Sequence, residues 1–448
     1  MSDATRRLLT RRHVLKLGLA TAGAMATGVR GGVMPPASAA QGAGQKGPLI
    51  IWCEVAFLKE VDEVMAATFK DWGAKNGWAV DYQTIPPPPE SLQRLTAAIE
   101  AKAPPDADHL FEGDLQYYRA QGILADVSDV INQIKGLEGG LYEAAFLGVG
   151  YQGKYYGIPY TLNPWVMHAR DDVLKTAGVA YPKTWEEMIK ISPKISKPPQ
   201  VYTYAMSLGD NDDTDKNFFQ IVWGYGGALQ NQQGALTFKS KETLEAIKVV
   251  KEMYDKKVIP PGATTWDASG NNKAYQARQA IFSLNPNTIY AWLDVNDKPL
   301  MELTGMYGTP AGPKGHFDLI DVRSFAVFKD AKNPGPAKEA LRHFVQPANY
   351  EKVIETSRNR YQPIYKNMMN RPMWQKPAYK EYKNIMQNAR VLAYAGPPNP
   401  AQGEVHSTWI TAHMLQEVCS GAKTPEKAMN DAYDQMVPIY KKWKQPIA

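Results

Sequence analysis

Cysteine is almost missing from this chain: its 448 residues hold two, Cys53 and Cys419. So few cysteines exclude a disulfide framework and a thiolate metal site, and leave two buried thiols or a single bridge for geometry to decide. No apolar run beyond the N-terminus reaches the ~20 residues needed to span a bilayer, which excludes a polytopic membrane protein. Charge of one sign is scarce in the body of the chain. The net charge is +6, but Arg6, Arg7, Arg11, Arg12, Lys16 and Arg30 stand against Asp3 within residues 1–40, so the remainder is near +1. A near-neutral body gives no electrostatic ground for nucleic acid as a partner. Catalytic motifs are absent as well: there is no His-Glu-x-x-His, no Gly-x-Ser-x-Gly and no Gly-x-x-x-x-Gly-Lys-Ser/Thr. That weakens an enzyme reading without excluding it.

At 49.8 kDa the chain exceeds one usual domain. With 44% hydrophobic and 21% charged residues it is not mainly disordered. Two apparent motifs fail on context. Gly148-Val149-Gly150-Tyr151-Gln152-Gly153 spells the dinucleotide fingerprint but runs into Lys154-Tyr155-Tyr156-Gly157-Ile158-Pro159-Tyr160, a hairpin-like stretch rather than a helix start. Asp210-Asn211-Asp212-Asp213-Thr214-Asp215 lacks the glycine and closing glutamate of a calcium loop. These acids are better read as the N-terminus of a helix over 217–225, where the dipole favours negative charge. His406 and His413 are seven apart with no placed cysteine or carboxylate, so they are read as separate. No metal and no cofactor is expected.

The N-terminus reads as an address. Thr10-Arg11-Arg12-His13-Val14-Leu15-Lys16 resembles the twin-arginine export signal, with Val14 where phenylalanine is usual. A mildly apolar stretch, 17–29, and the small-x-small site Ala37-Ser38-Ala39 follow. The alternative is an amphipathic N-terminal helix. The expectation is a signal peptide over 1–40, no lipid anchor, and an exported protein beginning near Ala40 or Gln41. Because that route carries folded cargo, often with a cofactor, an exported redox enzyme or hydrolase stays as the rival.

Residues 41–47 form a Gly/Gln linker. The run 49–53 is apolar without alternation, as in a strand buried on both faces of a parallel sheet. Phe57, Val61, Val64, Met65, Thr68, Phe69 and Trp72 then recur at helical spacing, closed by Gly73. A strand over 79–84, a stiff connector over 86–89, a helix from Ser91 and a strand over 109–111 complete an α/β alternation. A second series spans 165–303, with helices over 184–191, 217–225 and 242–254 and a strand over 280–284. A third section has a strand over 321–328 and helices over 336–345, 405–419 and 425–442.

Eleven tryptophans and 24 tyrosines are many, and several sit beside Asn, Gly or Pro in loops rather than on helix stripes. Asn163-Pro164-Trp165, Trp223-Gly224-Tyr225 and Asn285-Pro286-Asn287 are examples. Aromatic plates with Asn, Asp, Glu and Arg are what a sugar needs, because it presents flat C–H faces and dense hydroxyls. The order of segments resembles the family 1 extracellular solute-binding proteins of ABC importers, the class of maltose-binding protein. Four stretches carry the resemblance: 49–72; Gly122-Ile123-Leu124-Ala125-Asp126-Val127-Ser128; Gly153 to Tyr160 with 169–179; and Tyr181-Pro182-Lys183-Thr184-Trp185-Glu186-Glu187. His168-Ala169-Arg170 departs from the family's usual Tyr-Asn.

The resemblance implies an α/β, periplasmic binding protein-like fold of two lobes with a hinge and an interlobe cleft. The first lobe would take 48–162 plus 314–362, the second 163–313 plus 363–448. It implies a monomeric periplasmic receptor that delivers a carbohydrate to an inner-membrane ABC permease. A charged solute is the alternative. Carried over by position, the ligand-binding candidates are Glu54, Asp114, Asn163, Trp165, Trp223, Tyr225, Asn285, Asn287, Arg323, Arg360, Glu404 and Trp409. Trp223 and Tyr225 would be aromatic plates, and Arg323 and Arg360 would fork onto hydroxyls or a carboxylate.

Overall fold

The computed structural model describes residues 46–56, 58–87 and 90–448. The expected signal peptide, most of the linker, Phe57 and half of the 86–89 connector lie outside the described residues.

Two sheets organise the chain. The first has five strands: β1 (Lys46–Glu54), β2 (Trp78–Ile85), β3 (Ala107–Phe111), β4 (Ile158–Pro164) and a late strand, Ile320–Val327. The second has four: β5 (Val166–Arg170), β6 (Tyr202–Tyr204), β7 (Ala280–Asn285) and β8 (Thr304–Tyr307). The late strand is β9. Spatial orders are β2-β1-β3-β9-β4 and β8-β5-β7-β6. The apolar run in β1 is explained by its neighbours, since it pairs in parallel with both β2 and β3. Pairing starts at Lys46, so the linker ends two residues earlier than expected.

Helices cover both sheets. Those used below are α1 (Lys59–Asn76), α2 (Glu90–Glu100), α3 (Glu112–Ala120), α4 (Asp212–Tyr225), α5 (Pro334–Phe344), α6 (Pro400–Ser407), α7 (Ile410–Cys419) and α8 (Pro425–Lys442). α1 buries Val61, Met65, Phe69 and Trp72, the stripe read from its spacing, but runs past Gly73 to a left-handed cap at Gly77, φ +71°. α4 begins at Asp212, five residues before the expected start, so the aspartates lie inside its first turn, with Asn211 as cap. The expected helix over 405–419 is broken at Trp409, whose φ of +58° is left-handed. No glycine or proline marks that break.

Each sheet has its own core, and the chain therefore folds as two α/β lobes. Phe69, Leu110, Tyr160, Phe325 and Phe344 lie in the first; Trp185, Phe219, Phe282 and Tyr440 lie in the second. Ile364, Tyr365, Met368, Trp374, Tyr379, Tyr382 and Ile385, expected in the second lobe, pack in the first core. The second core resumes with Leu392 and Ala401. The physical reason is a run of aromatics and methionines in short 3-10 turns, which show no helical period from which to assign them. Both cysteines are buried and free. No helix of the described residues is long and apolar enough to cross a membrane.

Candidate functional site

The carboxyl ends of β1, β3 and β4 share one edge of the first sheet. Because β9 runs antiparallel to β3 and β4, its first residues lie beside their last: Asp321 is opposite Asn163, and Arg323 is opposite Phe111 and Thr161. Residues two apart on a strand share a face, so Asp321 and Arg323 project together. Arg323 reaches across β3 to Glu54 at the end of β1, with Nη1 donating to Oε1 at 3.1 Å. Its guanidinium lies 4.8 Å from the ring centre of Phe111. Arg360 donates from Nη1 to Asn163 Oδ1 at 3.3 Å.

The second lobe meets this edge with the N-terminus of α4. Asp212 and Lys216 are one turn apart on one face, and Lys216 Nζ lies 3.5 Å from Asp212 and 3.2 Å from Asp321. Asp321 also accepts from the Trp165 indole at 3.0 Å. Lys216 is thus a bridge from the second lobe to the edge of the first sheet. Behind it, His406 on α6 contacts Asp215 at 2.6 Å and Asp212 at 3.2 Å, while the Thr411 hydroxyl donates to Asp215. Asp213 accepts from Asn271 at 2.8 Å and from Asn285 at 3.3 Å. The aspartate run is therefore spent on side-chain partners, and among the described residues no group of three or more His, Cys, Asp or Glu is arranged to hold a metal.

Burial shifts these groups. Desolvation pushes Glu112, the first residue of α3, up to about 8, helped by nearby Asp321 and opposed by Lys216. Asp213 rises to about 7, again through burial. Burial opposes the charge on His406, but Asp212 and Asp215 outweigh it and lift the imidazole to about 10. Asp212 goes the other way: Lys216 and His406 overcome its burial and hold it well below the usual carboxylate range. Several buried polar atoms of the cluster have no partner among the described residues: Glu54 Oε2, Glu112 Oε2, Asn163 Nδ2, Arg323 Nε and Arg360 Nε. Buried polar atoms are costly unless satisfied, so these five are where a bound polar molecule would gain most.

Six of the twelve candidate residues come together here: Glu54, Asn163, Trp165, Asn285, Arg323 and Arg360. Asn287 lies beside them and donates to the Asn359 carbonyl at 2.6 Å. Asp114 stands in the first turn of α3, two residues past Glu112. Of the others, Trp223, Tyr225 and Glu404 are elsewhere, and Trp409 borders the cluster. Trp223 is 1% exposed in the second core, against Tyr394 and Phe219. It lies eleven residues along α4 from Asp212, about 16 Å at the helical rise. Tyr225 is at the same far end and donates to Glu186. Glu404 ties α6 to the end of α8, accepting from Lys442 and from the Trp443 indole, each at 2.6 Å. Trp409 stands at the break between α6 and α7, its ring 5.9 Å from His406. The sequence reading missed Glu112, Asp212, Asp213, Asp215, Lys216, Asp321 and His406 as members of the cluster. Asp212 and Lys216 at helical spacing, and two charges two apart in an apolar strand, were the available signals.

A surface cavity of about 510 Å³, lined by Trp72, Trp78, Pro336, Arg342 and His343, lies between α1, α5 and the start of β2. It is at the amino ends of the strands, the opposite edge from the cluster.

Two α/β lobes with a buried polar cluster where they meet, at the carboxyl ends of strands, is the architecture of a binding cleft. Over residues 65–384 the chain matches the family of bacterial extracellular solute-binding proteins, and it belongs to that family. A binding protein of Brucella abortus (strain 2308) is 24% identical over 355 residues, 78% of this chain and 83% of that protein. The GacH receptor of Streptomyces glaucescens, solved unliganded and with acarbose, superposes with a TM-score of 0.76 at 16% identity, covering 89% of this chain and 99% of that one. An ABC transporter solute-binding protein of Agrobacterium radiobacter K84, solved with ribitol, gives a TM-score of 0.76 at 18% identity, covering 88% and 99%. At these identities the two structures establish the fold.

Proposed function

We propose that the chain is the receptor of an ABC importer and captures a polyhydroxylated solute, a sugar, oligosaccharide or polyol, between its lobes. The observation that carries this is the meeting of Lys216 from the second lobe with Asp321, beside Arg323, Glu54, Asn163 and Arg360 of the first. A closure that buries the solute would be a hinge motion of one lobe against the other. Every hydroxyl buried in this way needs a partner, and the cluster offers carboxylate, amide and guanidinium atoms for the purpose. The indole of Trp165 and the ring of Phe111 supply apolar faces in the same place. The cited structures with acarbose and ribitol bind this chemistry on the same fold.

In this reading the protein acts in the periplasm as a monomer, exported by the twin-arginine route without a lipid anchor, and docks on its permease through both lobes. It turns nothing over. A thermal-shift panel of mono- and oligosaccharides, polyols, uronates and glycerol phosphates tests the proposal. At a hundredfold excess over the dissociation constant, linkage stabilises the bound protein by about 2.7 kcal/mol, enough to be seen. Absence of a shift with every member, or consumption of any of them, would overturn it. Recovery of the exported protein in the membrane pellet after high-salt washing would contradict the unanchored state.

A further inference from the structure

Arg360 is 3% exposed. Among the described residues its one side-chain hydrogen bond is the 3.3 Å contact to Asn163, its Nε has no partner and no carboxylate forms an ion pair with it. Arg323, 7% exposed, is close by; among the described residues Glu54 alone forms an ion pair with it, and its Nε is again unmatched. Glu54 is the carboxylate whose field both buried guanidiniums share, and Asp321 adds to it at Arg323. Burial and the neighbouring Arg323 push Arg360 down to about 10, so it is still charged at neutral pH.

Among the described residues, no other group facing this pair offers a carboxylate that is not already engaged. His109 is held neutral by burial and by both guanidiniums, and the Tyr361 hydroxyl is uncharged and unpartnered. Asp321 faces Arg323 but is engaged by Lys216 and Trp165. Arg323 Nε, Arg360 Nε and Asn163 Nδ2 are unmatched donors here, beside one unmatched carboxylate oxygen, Glu54 Oε2. A buried charge without a counter-charge is costly, and a forked pair of guanidiniums fits an oxyanion.

The position is also held in place. Arg358 and Asn359 are consecutively left-handed, with φ of +49° and +69°. The Asn359 carbonyl is fixed by Asn287 at 2.6 Å and by Gln362 at 2.9 Å, and the Arg360 amide by Ser357 at 2.8 Å. Two strained residues are kept in register by contacts from both lobes, and the outcome is the placement of Arg360.

We propose that the solute carries an oxyanion, a carboxylate or a phosphate ester, seated between Arg360 and Arg323. The receptor then takes acidic polyols rather than their neutral counterparts. This rests on the receptor reading above and narrows it.

The test uses matched probes on the exhaustively dialysed protein by isothermal titration: D-gluconate and D-glucuronate against D-glucose, and glycerol 3-phosphate against glycerol. At least one charged probe is expected to bind ten times or more tighter than its neutral twin, with carboxylates or phosphates identifying the source of the oxyanion. Arg360→Gln should remove that preference by tenfold or more. Arg360→Lys, which keeps the charge and loses the fork, should retain part of it and serves if the glutamine variant does not fold. Neutral probes binding as tightly as the acids would overturn the oxyanion site and leave the receptor reading standing. Binding of none of the probes, with no shift across the sugar panel, would overturn both.

Discussion

Arg323 and Glu54 are 269 residues apart in the chain and 3.1 Å apart in the fold, joined across β3 at the edge where the two lobes meet. Both are nearly fully buried. Breaking one side of such a pair strands the other charge. Glu54→Leu or Arg323→Met alone should therefore destabilise the protein by about 3–5 kcal/mol, whereas the two together should recover most of the loss. Urea denaturation of the two single variants and the double variant measures this, and additive losses would show that the pair does not act as a unit.

His406 makes stability depend on alkaline pH. Its folded value, about 10, lies above its ordinary 6.5 because Asp212 and Asp215 outweigh burial. The stability from its charge is fully present below pH 6.5 and lost as pH rises through about 10. The gap in melting temperature between the wild type and His406→Gln should shrink over that window. A constant gap from pH 6 to 10 would contradict the ion triad.

Glu112 gives the complementary case. Burial raises it from 4.5 to about 8, so the folded state holds its proton longer than the unfolded chain does. Stability tied to that proton is complete below pH 4.5 and gone above about 8. Glu112→Gln resembles the protonated acid and keeps an acceptor for the Leu392 amide, now 2.9 Å from Glu112 Oε1. The variant should be the more stable protein at pH 9 and close to wild type at pH 5. Lower stability of Glu112→Gln at pH 9 would refute the assignment.

Trp223 was expected as a plate for the ligand, but it packs against Phe219 and Tyr394 in the second core, at the far end of α4 from the cluster. Trp223→Ala should cost about 3–5 kcal/mol of stability. Solute affinity of the folded variant should stay within a factor of two of wild type by titration, and a large loss of affinity would return Trp223 to the site.

Cys53 and Cys419 should be inert in the native protein. Burial pushes each thiol up to about 12, which leaves almost no thiolate at neutral pH. Maleimide should label neither under native conditions and both in 6 M guanidinium chloride. Native labelling of either at pH 7 would count against its burial.

Much of the fold was legible in the residues themselves. The unbroken apolar run of 49–53 required a strand with neighbours on both faces, and the spacing from Val61 to Trp72 required a helix with one buried stripe. Those are local constraints, and local chemistry enforces them. The charge in the body, the two cysteines and the absent motifs likewise bounded what the protein does. The site was only partly legible. Glu54, Asn163, Trp165, Asn285, Arg323 and Arg360 were carried over by position from the family resemblance, at strand ends and at crossings between the lobes. Glu112 and Asp212 to Lys216 read as ordinary helix starts, which locally they are. Only the packing of α4 against the mouth of the first sheet sets Lys216 on Asp321, 105 residues away. The same holds for Trp223, whose loop-like neighbours hid a core position at the far end of a helix. Periodicity reports which face of an element is buried; what it is buried against is decided when sheets, helices and charges from distant parts of the chain are brought to one place.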